Sequence, residues 1–182
     1  MDSASNAGSN LFPMDMQPHL VGPLLELRPL GADDFEAVYA AASDPLICEQ
    51  HPDPLRYRAD QFQEWWRGAM ETKALAVIDR ATGKIIGSTR FLSYTGDEVE
   101  IGWTFLARRY WGGRYNGEMK RLMLEHAFKH VARVVFLVGP RNRRSQRAVE
   151  KIGAIRTGMR RNAAGKEQVL FELTPERLKP AL

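Results

Sequence analysis

The feature that most constrains the fold is a continuous apolar run of five residues, Val134-Val135-Phe136-Leu137-Val138. Branched and aromatic side chains without a polar interruption are typical of a strand that is buried on both faces. Before this run the residue pattern predicts a helix from about 115 to 130 and, before the helix, a strand over 98–106. Strand, helix and strand in this order predict a crossover unit and therefore a mixed α/β sheet.

Further strands and helices are predicted around this unit. The strands are predicted over 24–28, 74–79, 84–91, 154–159 and 168–173, and the helices from 32 to the stop at Asp44-Pro45, over 59–71 and over 145–152. In the strand over 98–106, alternation predicts one face with Val99, Ile101, Trp103 and Phe105, and the other with Glu98, Glu100, Gly102 and Thr104. We expect one domain over 23–178, after a flexible lead-in over 1–22, where Leu11 and Phe12 could dock, and before a tail over 179–182.

Composition excludes several classes of function. A single cysteine, Cys48, rules out an internal disulfide, and the four histidines show no zinc spacing, so no metal is expected. No apolar run approaches the roughly 20 residues of a membrane span, and no secretion signal is present, so the cytoplasm is the expected location. The net charge of +4 is concentrated in the arginines of 141–147. This cluster predicts an anionic ligand, and the lack of aromatic residues within it argues against nucleic acid.

The loop Arg109-Tyr110-Trp111-Gly112-Gly113-Arg114 lies between the predicted strand and the predicted helix. Adjacent glycines before a helix let backbone N–H groups converge on one point, where the helix dipole favours an anion. The loop therefore indicates a phosphate site, although two glycines alone would also suit a tight turn.

The loop and a later segment together resemble the GNAT superfamily, especially its branch that acetylates the N-termini of ribosomal proteins. In that family the loop reads Gln/Arg-x-x-Gly-x-Gly/Ala, which Arg109 and Gly112 match. The later motif Asn-x-x-Ser, then Glu-Lys-x-Gly, is matched at Asn142, Ser145 and 150–153. Arg114 departs from the family at the third loop position, where its side chain could crowd a diphosphate or add a positive charge to it.

The resemblance implies a central, mostly antiparallel, twisted sheet that is splayed between its fourth and fifth strands and flanked by about four helices. It also implies an N-acetyltransferase that passes the acetyl group of acetyl-CoA to a primary amine, of a protein N-terminus or a small molecule, by direct attack in a ternary complex. Acetyl-CoA and the amine would be its partners, without metal, nucleic acid or membrane, and the protein would be a monomer or homodimer. The alternative is a domain that binds CoA or acyl-CoA without catalysis.

The resemblance further implies the roles of individual residues. Pantetheine would contact Thr104, Phe105, Leu106 and Asn142, the pyrophosphate would contact Arg109, Tyr110, Trp111, Gly112, Gly113, Arg114 and Tyr115, and Arg144 or Arg147 would face the 3′-phosphate. Ser145 is the candidate for contacting the CoA sulfur or, as a structural role, for capping its helix. Some relatives use a tyrosine acid where this chain has Val149.

Glu100 is the predicted general base, acting directly or through water, and His51 is the runner-up. A solvated strand face shared by Glu98 and Glu100 is the alternative interpretation of the carboxylates. His51, Trp66 and Arg90 are predicted to line the acceptor site, and Glu49, Trp65 and Tyr94 are further candidates.

Overall fold

The structure is a computed structural model and describes residues 13–179. Within this part of the chain, eight strands form one sheet in the order β1-β2-β3-β4-β5-β6-β8-β7. The strands are β1 (Leu20–Val21), β2 (Leu25–Pro29), β3 (Leu75–Asp79), β4 (Lys84–Leu92), β5 (Glu98–Leu106), β6 (Arg133–Val138), β7 (Ile155–Arg161) and β8 (Glu167–Leu173). The helices are α1 (Phe35–Ala42), α2 (Pro45–Cys48), α3 (Ala59–Glu71), α4 (Arg114–Ala127) and α5 (Arg143–Lys151). The mixed α/β prediction is confirmed.

The strands β5 and β6 form the parallel pair of the described sheet, and the other neighbouring strands pair antiparallel. Their ladder covers only Glu98–Glu100 against Arg133–Val135. Beyond it β5 runs on to Leu106 and β6 to Val138 without pairing to each other. We call this unpaired space the gap. The predicted splay between the fourth and fifth strands is this gap, since β1 adds one strand at the start.

The helices cover the two faces of the sheet separately. A larger core cluster joins α4 and α5 to one face, with Met119, Met123 and Val149 against Val134 and Phe136 of β6. A smaller cluster joins α1, α2 and α3 to the other face. We call these the α4 face and the α3 face. The two crossovers, β5-α4-β6 and β6-α5-β7, advance in the same direction across the sheet, so a common handedness places both helices on one face.

A bulge in β5 breaks the predicted alternation. One residue of β4 lies between the pairs Ser88–Phe105 and Arg90–Gly102, against two residues of β5. Trp103, the first of these two residues, has a positive φ of 52° and is 47% exposed. After the bulge the faces exchange, because a one-residue insertion turns each later side chain over. The prediction that Trp103 and Phe105 share a face with Ile101 is therefore wrong.

Packing against the domain begins earlier in the chain than the predicted boundary at residue 23. Met14 is buried in the larger core cluster and Leu20–Val21 pairs with β2, so residues 13–22 are part of the packed domain. Leu11 and Phe12 lie outside the described residues. Glu118 of α4, expected to face water, is buried instead, and its Oε1 accepts the backbone N–H groups of Leu24 and Leu25 at 2.7 and 2.9 Å. This carboxylate joins α4 to the start of β2.

Candidate active site

The loop between β5 and α4 presents backbone donors to solvent. Gly112 has a φ of +69°, a left-handed conformation that favours glycine, and Gly113 is the N-cap of α4. The N–H groups of Gly112 and Gly113 make no hydrogen bond of good geometry to a backbone acceptor among residues 13–179. Those of Arg114 and Tyr115 lie in the first turn of the helix, where no intrahelical acceptor exists. Four donors at the positive end of a helix dipole suit a phosphate.

The space around this loop also fits a phosphate. A Cβ built at Gly112 or Gly113 would find no atom within 4 Å, so both positions are open to a ligand. Arg114 is exposed at the first residue of α4 and forms no ion pair in the described part of the chain. Arg109, also exposed, donates from Nη2 to the hydroxyl of Tyr110 at 2.9 Å. The Tyr110 side chain is buried and packs edge-on against Tyr115, with ring centres 4.8 Å apart, so its backbone is the part left to contact a ligand.

Trp111 closes part of the gap. Its Nε1 donates to the carbonyl oxygen of Leu106 at 2.8 Å, which uses an acceptor that was expected to be available to pantetheine. Thr104 is also committed: its Oγ1 lies 2.8 Å from Oγ1 of Thr89 on β4. Two of the three β5 residues predicted to contact pantetheine are therefore already hydrogen-bonded to another side chain, Leu106 through its carbonyl oxygen and Thr104 through its hydroxyl.

Arg144 does not face solvent as a free phosphate ligand. Its guanidinium donates to the carbonyl oxygens of Leu46 and Ile47 at 3.3 and 2.9 Å, pairs with Glu49 at 3.2 Å, and stacks 4.1 Å from the ring centre of Trp111. Arg144 thus links α5 to the end of α2 and to the loop. The assignment of the 3′-phosphate to Arg144 is not supported by these contacts.

Other arginines of the cluster remain available. Arg141, Arg143 and Arg147 are exposed, and their side chains form no hydrogen bond or ion pair within residues 13–179. Arg143 and Arg147 are four residues apart on α5 and so lie on one side of the helix. Arg147 stays a candidate for the 3′-phosphate, and Arg143 is an additional candidate that the sequence had not indicated.

Asn142 and Ser145 begin α5 together. Asn142 is the N-cap, and its Oδ1 accepts the backbone N–H of Ser145 at 3.1 Å. The prediction that Ser145 caps the helix is therefore wrong, because the capping side chain belongs to Asn142. Asn142 is buried, and Oδ1 is occupied by the cap. Ser145 is half-buried and its hydroxyl makes no hydrogen bond to a described residue, so it stays a candidate for the CoA sulfur.

Glu98 and Glu100 differ sharply although they share a strand face. Glu98 binds Arg160 at 2.6 Å and Arg133 at 3.0 Å, and these hydrogen bonds hold its pKa below the usual value. Glu100 forms no hydrogen bond to a described residue, and burial raises its pKa to about 7, with Glu98 adding to the rise and Arg160 opposing it. The expected alternative of a solvated strand face does not describe either carboxylate. A carboxylate that titrates near neutrality is suited to accept a proton.

Glu100 is the last residue of β5 that pairs with β6. Its carboxylate lies over Gly102, where a Cβ would come within 3.0 Å of Oε1. The candidate base is therefore on the α3 face, at the point where the gap begins.

A buried lysine lies on the opposite face of the same gap. Nζ of Lys120 donates to Oγ1 of Thr104 on β5 at 3.1 Å and lies 5.2 Å from the ring centre of Phe136 on β6. Burial lowers its pKa to about 7. Sequence reasoning missed this residue. The signal was present, because Lys120 shares the helical spacing of Met123, Leu124 and Ala127 on the buried side of α4.

The residues predicted to line the acceptor site have different surroundings in the structure. His51 is held by burial at a pKa of about 3, and its Nδ1 accepts the N–H of Asp53 at 2.9 Å, so it is a weak base near neutral pH. Trp66 is half-buried and packs edge-on against Phe35, with ring centres 5.2 Å apart. It belongs to the smaller core cluster, and nothing in its contacts distinguishes a binding role from packing.

Arg90 does not line an open pocket. It is 0% exposed, and Nη1 donates to the Gly68 carbonyl oxygen at 3.0 Å and to Oγ1 of Thr72 at the end of α3. Burial lowers its pKa to about 9. Its guanidinium lies between Trp65 and Trp103, 5.5 and 4.5 Å from their ring centres. The predicted acceptor contact is corrected to a role at the C-terminus of α3, where a cation is favourable.

A separate cleft of about 1070 Å³ reaches the loop from the α1 side. It is lined by α1, the start of β4 and residues 107–109, and it includes neither Glu100 nor Gly112. The gap and this cleft are therefore distinct. Within residues 13–179, no group of three or more His, Cys, Asp and Glu side chains could hold a metal ion. In the same range no helix has both the length and the apolar character to cross a bilayer.

Comparisons with solved structures find proteins of similar fold. A GCN5-related N-acetyltransferase from Brucella melitensis has a TM-score of 0.75 at 20% identity, over 91% of this chain and 82% of that chain. A GNAT-family acetyltransferase from Bacillus anthracis has a TM-score of 0.71 at 23% identity, over 87% and 99%. RimJ of Mycobacterium smegmatis, in complex with CoA-disulfide, has a TM-score of 0.64 at 18% identity, over 90% and 91%.

These likenesses show a shared fold. No curated protein sequence matches the chain. The sequence model of the family described as Acetyltransferase (GNAT) domain matches residues 25–155, which is more than half of the chain. Acetyltransferases of this family take the acetyl group from acetyl-CoA, and the resemblance noted in the sequence is confirmed. The chain belongs to the GNAT acetyltransferase family.

Proposed function

We propose that this protein is an N-acetyltransferase that passes the acetyl group of acetyl-CoA to a primary amine by direct attack in a ternary complex. The observation that carries the proposal is Glu100, a carboxylate with a pKa of about 7 at the point where β5 and β6 part. The acceptor is an amine of a protein N-terminus or of a small molecule. The reaction requires a neutral amine, because an ammonium group has no lone pair.

The cofactor site is proposed where the chain offers it open donors. The N–H groups from Gly112 to Tyr115 would hold the pyrophosphate, and the free guanidinium groups of Arg143 and Arg147 would face the 3′-phosphate. Pantetheine would enter the gap and pair with strand backbone as an added strand does. Because Trp111 occupies the Leu106 carbonyl, its indole has to move or share that acceptor when pantetheine is bound.

The attacking amine and the developing oxyanion each have a candidate group in this arrangement. Glu100 would accept the proton of the attacking amine, directly or through a water. A backbone N–H in the Phe105–Leu106 region, just after the bulge at Trp103, would donate to the developing oxyanion. Positioning of the two bound reactants would supply much of the rate in addition.

The first test is thermal unfolding with acetyl-CoA, CoA and ATP at matched concentrations. A ligand that binds only the folded state raises the midpoint, so acetyl-CoA and CoA should raise it and ATP should not. Release of CoA thiol is then followed over a panel of amines. Binding together with amine-dependent thiol release supports the proposal. Binding without release for any amine would favour the non-catalytic CoA-binding domain, and no binding would remove both.

A further inference from the structure

Lys120 is a charged residue in an apolar setting that the proposed mechanism does not yet use. It is buried on α4 among core residues and points between the two strands that border the gap. The contacts of Nζ are Oγ1 of Thr104 at 3.1 Å and the ring of Phe136 at 5.2 Å. Burying an amine costs free energy unless the site compensates for it, and one neutral hydroxyl and one ring compensate only in part.

The position of these two contacts defines where Nζ lies. Phe136 is the first residue of β6 beyond its ladder with β5, and Thr104 is the second residue of the bulge on β5. Both are within the stretch where the strands are unpaired. Val99 and Ile101 face α4, so Glu100 between them faces away. Lys120 and Glu100 therefore approach the gap from opposite faces of the sheet.

Among residues 13–179, no charged group shifts the pKa of Lys120. Burial alone lowers its pKa to about 7. On its own helix, Glu118 is committed to the N–H groups of Leu24 and Leu25, and Arg121 pairs with Glu125 at 2.7 Å. The groups that meet it from the strands, Thr104 and Phe136, do not titrate.

We propose that Lys120 is the proton donor to the CoA sulfur in acetyl transfer. This inference rests on the proposed function. In the step, the amine nitrogen forms a bond to the thioester carbonyl carbon and gives its proton to Glu100. The C–S bond then breaks, its electron pair goes to sulfur, and the ammonium of Lys120 passes one proton to that sulfur. CoA leaves as the thiol, Lys120 is left neutral and Glu100 is left protonated, and both exchange with solvent before the next turnover.

Lys120 suits this step better than Ser145 does. An alkyl thiol has a pKa of about 8.5, so transfer from an ammonium that titrates near neutrality to a thiolate is downhill. A serine hydroxyl can donate a hydrogen bond to sulfur but does not give up its proton at neutral pH. Ser145 also lies in the first turn of α5, beyond the end of β6, whereas Lys120 contacts both borders of the gap.

The test is an ultraviolet titration of the thiol of CoA bound to the intact protein, which needs neither an acceptor nor turnover. The variants are Lys120→Met, which keeps length without charge, and Ser145→Ala as the matched control. The ammonium form of Lys120 stabilises an adjacent thiolate, so in the wild type part of the bound thiol should titrate near pH 7, where Lys120 is still protonated, and thus below the pKa of free CoA. The shift should disappear in Lys120→Met and remain in Ser145→Ala.

Two further readouts separate chemistry from folding. Lys120→Met should unfold at an unchanged or higher temperature, since it removes a poorly compensated buried cation, while kcat for an amine falls about 100-fold. Thr104→Val, which removes the hydroxyl that holds Nζ, should reduce the thiol shift partially. Equal titration of CoA bound to the wild type and to Lys120→Met would overturn the inference while leaving the proposed function intact. If CoA does not bind the wild type, both are overturned.

Discussion

The two ends of the β5–β6 pair differ in whether their charged side chains have ion-pair partners. At the paired end, Glu98 is held by Arg133 and Arg160, and the ladder is complete. At the open end, Glu100 is half-buried and Lys120 is buried, one on each face, and neither has a hydrogen-bonded opposite charge among the described residues. Compensated charge at one end stabilises the sheet, and uncompensated charge at the other costs stability. Such a cost, placed where the backbone is also open, is typical of a functional site.

The largest expected effect comes from neutralising the two glutamates separately, which tests whether they differ in function. Glu100→Gln should lower kcat/KM for an amine about 100- to 1000-fold, because general-base catalysis is lost. Glu98→Gln, two residues away on the same face, should lower it far less. Steady-state thiol release measures both. A similar loss in the two variants would mean that Glu100 acts only through local structure.

The second contrast is between a committed arginine and a free one on α5. Arg147→Gln should raise KM for acetyl-CoA several-fold, on the order of 1 kcal/mol for one phosphate contact. Arg144→Gln removes the link from α5 to α2 and should mainly lower the melting temperature, by about 2–4 °C. A donor that lacks the 3′-phosphate provides the control, since the Arg147 effect should vanish with it. An undiminished Arg147 effect with that donor would place the phosphate elsewhere.

The smallest expected effect is on the pH dependence of the free energy of unfolding, to which the two glutamates should contribute with opposite signs. The pKa of Glu100 is about 7 in the fold against 4.5 when unperturbed, so the native state keeps a proton that the unfolded state has lost. Its contribution to stability therefore falls as pH rises from 4.5 to 7. The lowered pKa of Glu98 acts in reverse, with stability present above 4.5 and lost as pH falls through its folded value.

Melting curves at pH 5 and pH 8 check this. At pH 8, Glu100→Gln should be more stable than the wild type by about 1–2 kcal/mol, and Glu98→Gln less stable by a similar amount. At pH 5 the gain of Glu100→Gln should disappear, since its carboxyl is already neutral in the wild type. A gain that persists at pH 5 would have another cause than the buried charge.

Much of this fold could be predicted from local patterns. The strand Glu98–Leu106 and the helix Ala59–Glu71 have the bounds that their residues indicate. The bulge could not be predicted, because it depends on the register against β4, which no single strand encodes. Because the bulge was not predicted, the side chains after it were assigned to the wrong faces of the sheet.

In the candidate site, too, some features could be predicted from the sequence and others depend on contacts between distant parts of the chain. The glycine loop and Glu100 could be identified from residue type and position. The partners of Arg144 lie nearly a hundred residues earlier in the chain, so its commitment to α2 is visible only in three dimensions. The same holds for Arg90, whose carbonyl partner at the end of α3 is set by packing of a helix on the sheet.

The gap has a consequence for the behaviour of the protein in the test tube. Unpaired strand edges are templates for other extended chains, and proteins usually protect their outer edges against aggregation. The outer strand β7 carries Arg156, Arg160 and Arg161, which discourage such pairing. The inner edges of β5 and β6 face an opening, where Trp111 covers the Leu106 carbonyl but no row of arginines comparable to that of β7 lies on the described strands. Preparations without CoA should therefore self-associate more readily than preparations saturated with it, so storage with the ligand should extend shelf life.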